Sequence, residues 1–315
     1  MTASARVARI VLLGLLADLV GAGSGCARAD VYPVTGGTAV DGGATDGVTP
    51  VTCPSPALQP GDTSRTVQVG AGTRSYVLHV APAYDGTRPV PLVVDFHGIG
   101  ASGSDERDTS PYPAMLDPEG VVMAFPDGLR GPAGTGWNVG PCCVADADDV
   151  AFARALVAQI QTIACIASDR VYAVGVLTGG GMAHYVACHA ADVFAAVAPA
   201  AFDLLEENVN GCNPPRPITV ISFRGTADSR VPYAGGPSSL VQGMPLTFLG
   251  ARATFEAWAR IDRCVGAASQ PDADGCSSYA GCQDGVEVIL CTKEGGREEP
   301  GDASIAWPVL KRHTL

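Results

Sequence analysis

Short, mostly apolar runs alternate with segments of helical spacing from about Ser64 to the end of the chain. Residues 91–96 (P-L-V-V-D-F) and 121–125 (V-V-M-A-F) carry apolar side chains at successive positions, the pattern of strands covered on both faces. Residues 76–80 follow a glycine-containing turn and predict one arm of an opening hairpin. Further apolar runs at 171–176, 194–199, 218–223 and 286–290 predict four more strands. Helical spacing appears over 150–166, 181–189, 247–263 and 305–313, with Asp148 and Asp149 placed to cap the first of these. Strand–helix alternation of this kind predicts an α/β fold, a doubly wound and mostly parallel sheet with helices on both faces. Residues 53–315 read as one such domain, with no internal repeat.

The start of the chain has a different character. Arg6 and Arg9 precede an apolar run over 10–20, and Ala27-Arg28-Ala29 offers a small-residue cleavage site, so residues 1–29 read as an export signal. Gly23-Ser24-Gly25-Cys26 is similar to a relaxed lipoprotein box, which opens a second outcome, a lipid anchor on Cys26. The apolar run falls well short of the ~18 residues a membrane span needs, so no transmembrane span is expected. Residues 30–52 are mostly Gly, Thr, Val and Asp and read as a flexible tether.

Eleven cysteines are present, and setting Cys26 aside leaves ten. An even number behind an export signal predicts disulfides rather than a zinc site, since Cys276 and Cys282 have no histidine nearby. Cys264, Cys276, Cys282 and Cys291 are expected to pair among themselves, and Cys142 or Cys143 to reach a more distant partner. No metal or cofactor is called for. A net charge of −12 argues against nucleic acid or an anionic membrane surface as partner.

The chemistry concentrates in the loops that follow the strands. V-Y-A-V-G-V-L-T-G-G-G-M at 171–182 is a strand entering a glycine-rich turn and then a helix. That is the layout of a nucleophile elbow, G-x-S-x-G, with Gly175 and Gly179 in place and Leu177 at the apex. Thr178 is the only hydroxyl in the turn. Read as the nucleophile, it has Val176 two positions before it, where the bend needs a small residue. His97-Gly98-Ile99-Gly100 after the first buried strand lets backbone N–H groups approach a developing oxyanion. Trp137, in a glycine-rich loop, lines a substrate cleft or packs against its own loop. Asp228 follows the strand at 218–223, where the acid of a triad falls.

These residues carry a resemblance. From about Val67 to Leu315 the chain resembles the secreted esterases of the polyhydroxybutyrate depolymerase and feruloyl esterase type, within the α/β-hydrolase superfamily. The matching blocks are H-G-I-G at His97, F-P-D-G at Phe125, W-N with C-C from Trp137 to Cys143, and D-D-V-A-F at Asp148. V-Y-A-V-G at Val171, F-A-A-V-A-P at Phe194, G-T-A-D with V-P-Y at Gly225 and a closing G-G-x-x-x-P at Gly295 continue the series. The resemblance implies an α/β-hydrolase fold and a Ser-Asp-His esterase acting on aliphatic polyester, short-chain or hydroxycinnamoyl esters. Carried over position by position, its serine falls on Leu177, its aspartate on Asp228 and its histidine on Arg297, with Glu299 at a tryptophan position. The histidine that commonly precedes G-T-x-D falls on Arg224. Gly98, Ile99, Thr178 and Trp137 fall at the oxyanion and substrate-binding positions.

Neither replacement can do the original work, because leucine has no nucleophile and arginine stays protonated. Of the five histidines only His313 follows Asp228, near the end of the last helix. The expectation is therefore an exported homologue without catalysis that binds a small or polymeric ester or a glycan. The alternative is an active carboxylic ester hydrolase with a non-standard nucleophile. Arg297 is expected to form an ion pair with Asp228, and Leu177 to add apolar contact at the cleft floor.

Overall fold

The computed structural model describes residues 52–315 apart from 239, 242 and 299. The expected export signal, tether and Cys26 anchor, and Glu299, lie outside the described residues.

Among the described residues nine strands share one sheet: β1 (Gly61–Val69), β2 (Gly72–Val80), β3 (Val90–Phe96), β4 (Val122–Pro126), β5 (Ile166–Val176), β6 (Ala196–Ala200), β7 (Thr219–Gly225), β8 (Cys276–Tyr279) and β9 (Val288–Lys293). Their spatial order is β1-β2-β4-β3-β5-β6-β7-β9-β8. The run from β4 through β9 is parallel, while β1, β2 and β8 pair antiparallel at the two edges. Successive side chains leave a strand on opposite faces, and both faces are covered. Leu92 and Val94 join the core under helices α3 (Asp149–Ile163), α4 (Thr178–His189) and α6 (Ala251–Ile261), through Phe152, Met182 and Trp258. Val93, between them, joins a second core under α2 (Tyr112–Leu116) and α7 (Ala303–Leu310), through Leu116 and Trp307. Two short helices, α1 (Gly103–Thr109) and α5 (Glu206–Val209), sit in loops. Asp148 caps α3, accepting from the Ala151 N–H at 2.9 Å.

Every strand and helix read from the pattern is present, with shifted ends. The helix expected from residue 247 begins at Ala251, because Leu246–Phe248 is extended and paired with Gly236–Ser238 and Gly250 turns the chain at φ 88°. The edge strand β8 reads C-S-S-Y and has no apolar alternation to announce it.

Five disulfides staple the described domain: Cys53–Cys165, Cys142–Cys143, Cys188–Cys212, Cys264–Cys282 and Cys276–Cys291. The four late cysteines pair among themselves as expected. The distant partner expected for Cys142 or Cys143 is not found, since the two bond to each other. The other eight described cysteines are already taken in pairs by the loops they close. Disulfides in this number belong to an oxidising compartment outside the cytosol. No helix among the described residues is long and apolar enough to cross a membrane.

Parallel strands end on one edge of the sheet, so the loops after β3, β5, β7 and β9 converge there. These are the four loops on which the sequence places its candidate residues.

Candidate functional site

Leu177 forms the apex between β5 and α4, with φ 52° and ψ −124°. That region disfavours any residue with a Cβ by roughly 1–3 kcal/mol, so the surroundings must enforce it. The Leu177 N–H donates to the Ala200 carbonyl and its carbonyl accepts from Gly181, each at 3.0 Å. The helix also presses hard on β3. A Cβ on Gly179 would lie 1.8 Å from the Phe96 carbonyl oxygen, and one on Gly175 would lie 2.6 Å from the Gly179 backbone. Only glycine fits either position. The Leu177 side chain is half-buried against the H-G-I-G loop, its Cδ1 3.4 Å from where a Gly98 Cβ would stand.

The next residue, Thr178, is fully buried, and its hydroxyl has no hydrogen-bond partner among the described residues. Its backbone N–H is in the first turn of α4, where no intrahelical acceptor exists.

On the facing loop, His97 is fully buried and fixed at both ring nitrogens. Nδ1 donates to the Gly98 carbonyl at 2.7 Å, and Nε2 accepts from the Gly128 N–H at 2.9 Å. Burial pushes its pKa below the usual imidazole range, so the ring is neutral. The Gly100 N–H is taken by the Thr135 carbonyl and the Ala101 N–H by that of Gly98. The Ile99 N–H is left without an acceptor among the described residues. Trp137 does not line a cleft. Its indole is fully buried, donates to the His97 carbonyl at 2.8 Å and meets Phe96 edge to face at 5.2 Å. It steadies the loop from inside the core.

The acid is held by a different arginine from the one expected. Asp228 is buried, and its Oδ1 accepts from the Arg230 and Val231 N–H groups, each at 2.9 Å. Its Oδ2 lies 3.6 Å from Arg224 Nη2. Arg224, fully buried at the end of β7, pairs through Nη1 with the Asp203 carboxylate and donates through Nη2 to the Val231 carbonyl. Burial pushes the Asp203 carboxyl up to about 6 against the opposing pull of Arg224. The backbone around Arg297 crosses β7 closely. A Cβ on Gly225 would lie 2.3 Å from the Arg297 carbonyl oxygen, and the Ala227 N–H donates to the Gly296 carbonyl at 2.7 Å. The Arg297 side chain is exposed, with no ion pair among the described residues. The expected Arg297–Asp228 pair is therefore corrected: a guanidinium buried four residues before the acid reaches it, and one on an exposed turn does not.

All five histidines lie in described parts of the chain, and none touches Asp228 or Thr178. His79 sits between Asp62 (2.6 Å) and Asp117 (2.7 Å), and His313 meets Glu287 at 3.1 Å. His184 stacks on Trp258, whose Nε1 donates to its Nδ1 at 3.1 Å, and burial pushes its pKa down to about 3. His189 is exposed beside Tyr185.

Sequence reasoning missed one feature beside the elbow. Asp95 and Glu106 are both buried and line a cavity of about 130 Å³ together with Gly175 and Val176. Ser110 donates to Asp95 at 2.6 Å. Burial raises both carboxyls above their ordinary range, and the charge of Asp95 raises Glu106 further. The signal was in plain view, an acidic residue inside the apolar run 91–96.

No protein-family model matches the chain. It is 42% identical over 245 residues to feruloyl esterase B of Piromyces equi, covering 77% of this chain and 46% of that protein. A putative esterase, NocK, of Nocardia uniformis subsp. tsuyamanensis is 34% identical over 232 residues, covering 70% of this chain and 65% of that one. The chain thus spans less than two thirds of either relative. Among solved structures, an acetyl xylan esterase from Aspergillus awamori superposes with a TM-score of 0.59 at 14% identity, covering 79% of this chain and 98% of that one.

Proposed function

We infer that the chain is a homologue of the α/β-hydrolase esterases to which it is similar, one that binds an ester-bearing ligand and does not cleave it. The observation that carries this reading is Leu177 at the apex of the elbow, on the backbone from which a nucleophile would be presented. Supporting it, no imidazole is hydrogen-bonded to Asp228 among the described residues. Removing the serine or histidine of such a unit costs on the order of 10⁶ in kcat. The Ile99 and Thr178 N–H groups remain as donors for a carbonyl or carboxylate oxygen. The ligand class is a carboxylic ester, free or on a glycan or polyester. Five disulfides and the basic, then apolar, start of the chain support export, either as a secreted protein or as one anchored through Cys26.

Thr178 is a poor substitute nucleophile, because its hydroxyl is buried without a base. His184, six residues along α4, stands ~9 Å further up the helix axis.

The test uses purified wild type with p-nitrophenyl butyrate and methyl ferulate, a covalent serine-hydrolase probe, and calorimetric titration with methyl ferulate. Binding with no turnover and no labelling is expected. Esterase-like turnover by the wild type, lost in Thr178→Ala, overturns the reading.

A further inference from the structure

Leu177 and Arg297 account for two of the three triad positions, and Asp228 has stood so far as the one that is intact. Its surroundings say otherwise. In a working relay the acid accepts one hydrogen bond from the imidazole and stabilises the positive charge that forms there. Asp228 keeps the geometry for that task, with Oδ1 fixed by two backbone N–H groups and Oδ2 left without a hydrogen bond. Yet Oδ2 faces a cation. Arg224 Nη2 stands 3.6 Å away with both side chains fully buried, where water cannot screen the pair.

We propose that Arg224, anchored on Asp203, is a positioning residue that disarms the retained acid. Its guanidinium supplies beside Asp228 the positive charge that an imidazolium would otherwise bring. This rests on the reading of the site as non-catalytic and extends it to a third position.

The groups facing the pair come from three elements. Asp203, after β6, takes Nη1 of Arg224. His184, from α4, is neutral and adds no charge. Across the turn, Arg230 and Glu298 pair with each other at 3.6 Å near the surface. Arg224 is thus the only buried cation against Asp228 among the described residues.

Restoring Leu177→Ser and Arg297→His is therefore not sufficient for a strong base. An imidazole at position 297 gains from the Asp228 charge and loses from that of Arg224, so it stays a weak proton acceptor. The test compares that double variant with one that also carries Arg224→Met and Asp203→Asn, which removes the buried pair together and leaves no orphaned charge. The pKa of the new imidazole, followed by ¹⁵N NMR, is expected to rise by about 1 when the pair is removed. The acid limb of kcat/KM for p-nitrophenyl butyrate should move up in pH with it, and the plateau should rise about tenfold. Arg224→Lys in the double variant keeps the charge and should leave the imidazole pKa low.

An imidazole pKa that is the same with and without the pair overturns the proposal. So does full esterase activity in the double variant with Arg224 untouched. Both outcomes concern variants only, so they are separate from wild-type turnover, which bears on the inertness of the native site.

Discussion

At the scale of single residues, the proposed loss of chemistry rests on one position and on the backbone around it. Spacing alone places Leu177 at the apex, because Gly175 and Gly179 bracket it; the left-handed φ of 52° shows that this register is the one adopted. What spacing could not show is burial. Arg224 and Arg297 both fall where the resemblance expects a histidine, and nothing in the order of residues says which guanidinium turns inward. Trp137 was ambiguous for the same reason, since a tryptophan beside glycines reads alike in a cleft wall and in a core. The tightest contact yields a direct prediction. Gly179→Ala would drive a Cβ into the Phe96 carbonyl oxygen, and an overlap of that size costs at least about 3 kcal/mol. Expressed protein should be insoluble, or should unfold in markedly less urea than the wild type, whereas Leu177→Ser should unfold near the wild-type midpoint.

At the scale of elements, the strands that are buried on both faces were legible as continuous apolar runs, and the helices as periodic ones. The parts that escaped are held by something other than hydrophobic pattern. Strand β8 is polar and is tied to β9 by Cys276–Cys291 as well as by its ladder. The pairing of Gly236–Ser238 with Leu246–Phe248 displaced the start of α6. Cys53–Cys165 closes the longest loop, its ends 112 positions apart in sequence, and ties the start of the described domain to the head of β5. Constraint of the unfolded chain by a loop of that length is worth about 5 kcal/mol. Replacing the pair by Cys53→Ser with Cys165→Ser should lower Tm by roughly 10 °C in non-reducing calorimetry, with the near-ultraviolet circular dichroism of the folded state unchanged.

For the whole molecule, the buried carboxyls set how stability answers to pH. Asp262 is pushed up to about 7 by burial, and Asp95 and Glu106 are raised by the same cause. A group whose folded pKa exceeds its unfolded value contributes fully below the unfolded value, near 4 for a carboxyl, and the contribution is lost as pH rises through the folded one. His97 and His184 are lowered by burial, so theirs is present above about 6.5 and lost only as pH falls. Between about pH 7 and pH 9 the carboxyls alone change, and unfolding free energy should fall as pH rises. Urea unfolding at the two ends of that range checks the sign, and Glu106→Gln should flatten the slope. A flat profile would show that these carboxyls ionise in the folded state as they do in water.

The bend at the end of β5 is imposed from outside. Two side-chain-free positions, the tip of β3 and the Ala200 carbonyl hold the junction, and none of them depends on what projects from its crown. The junction is therefore indifferent to its passenger. A thiol, an unnatural electrophile or a metal-chelating group grafted there inherits the same rigid mounting, which makes this scaffold a starting frame for installing reactions of other kinds.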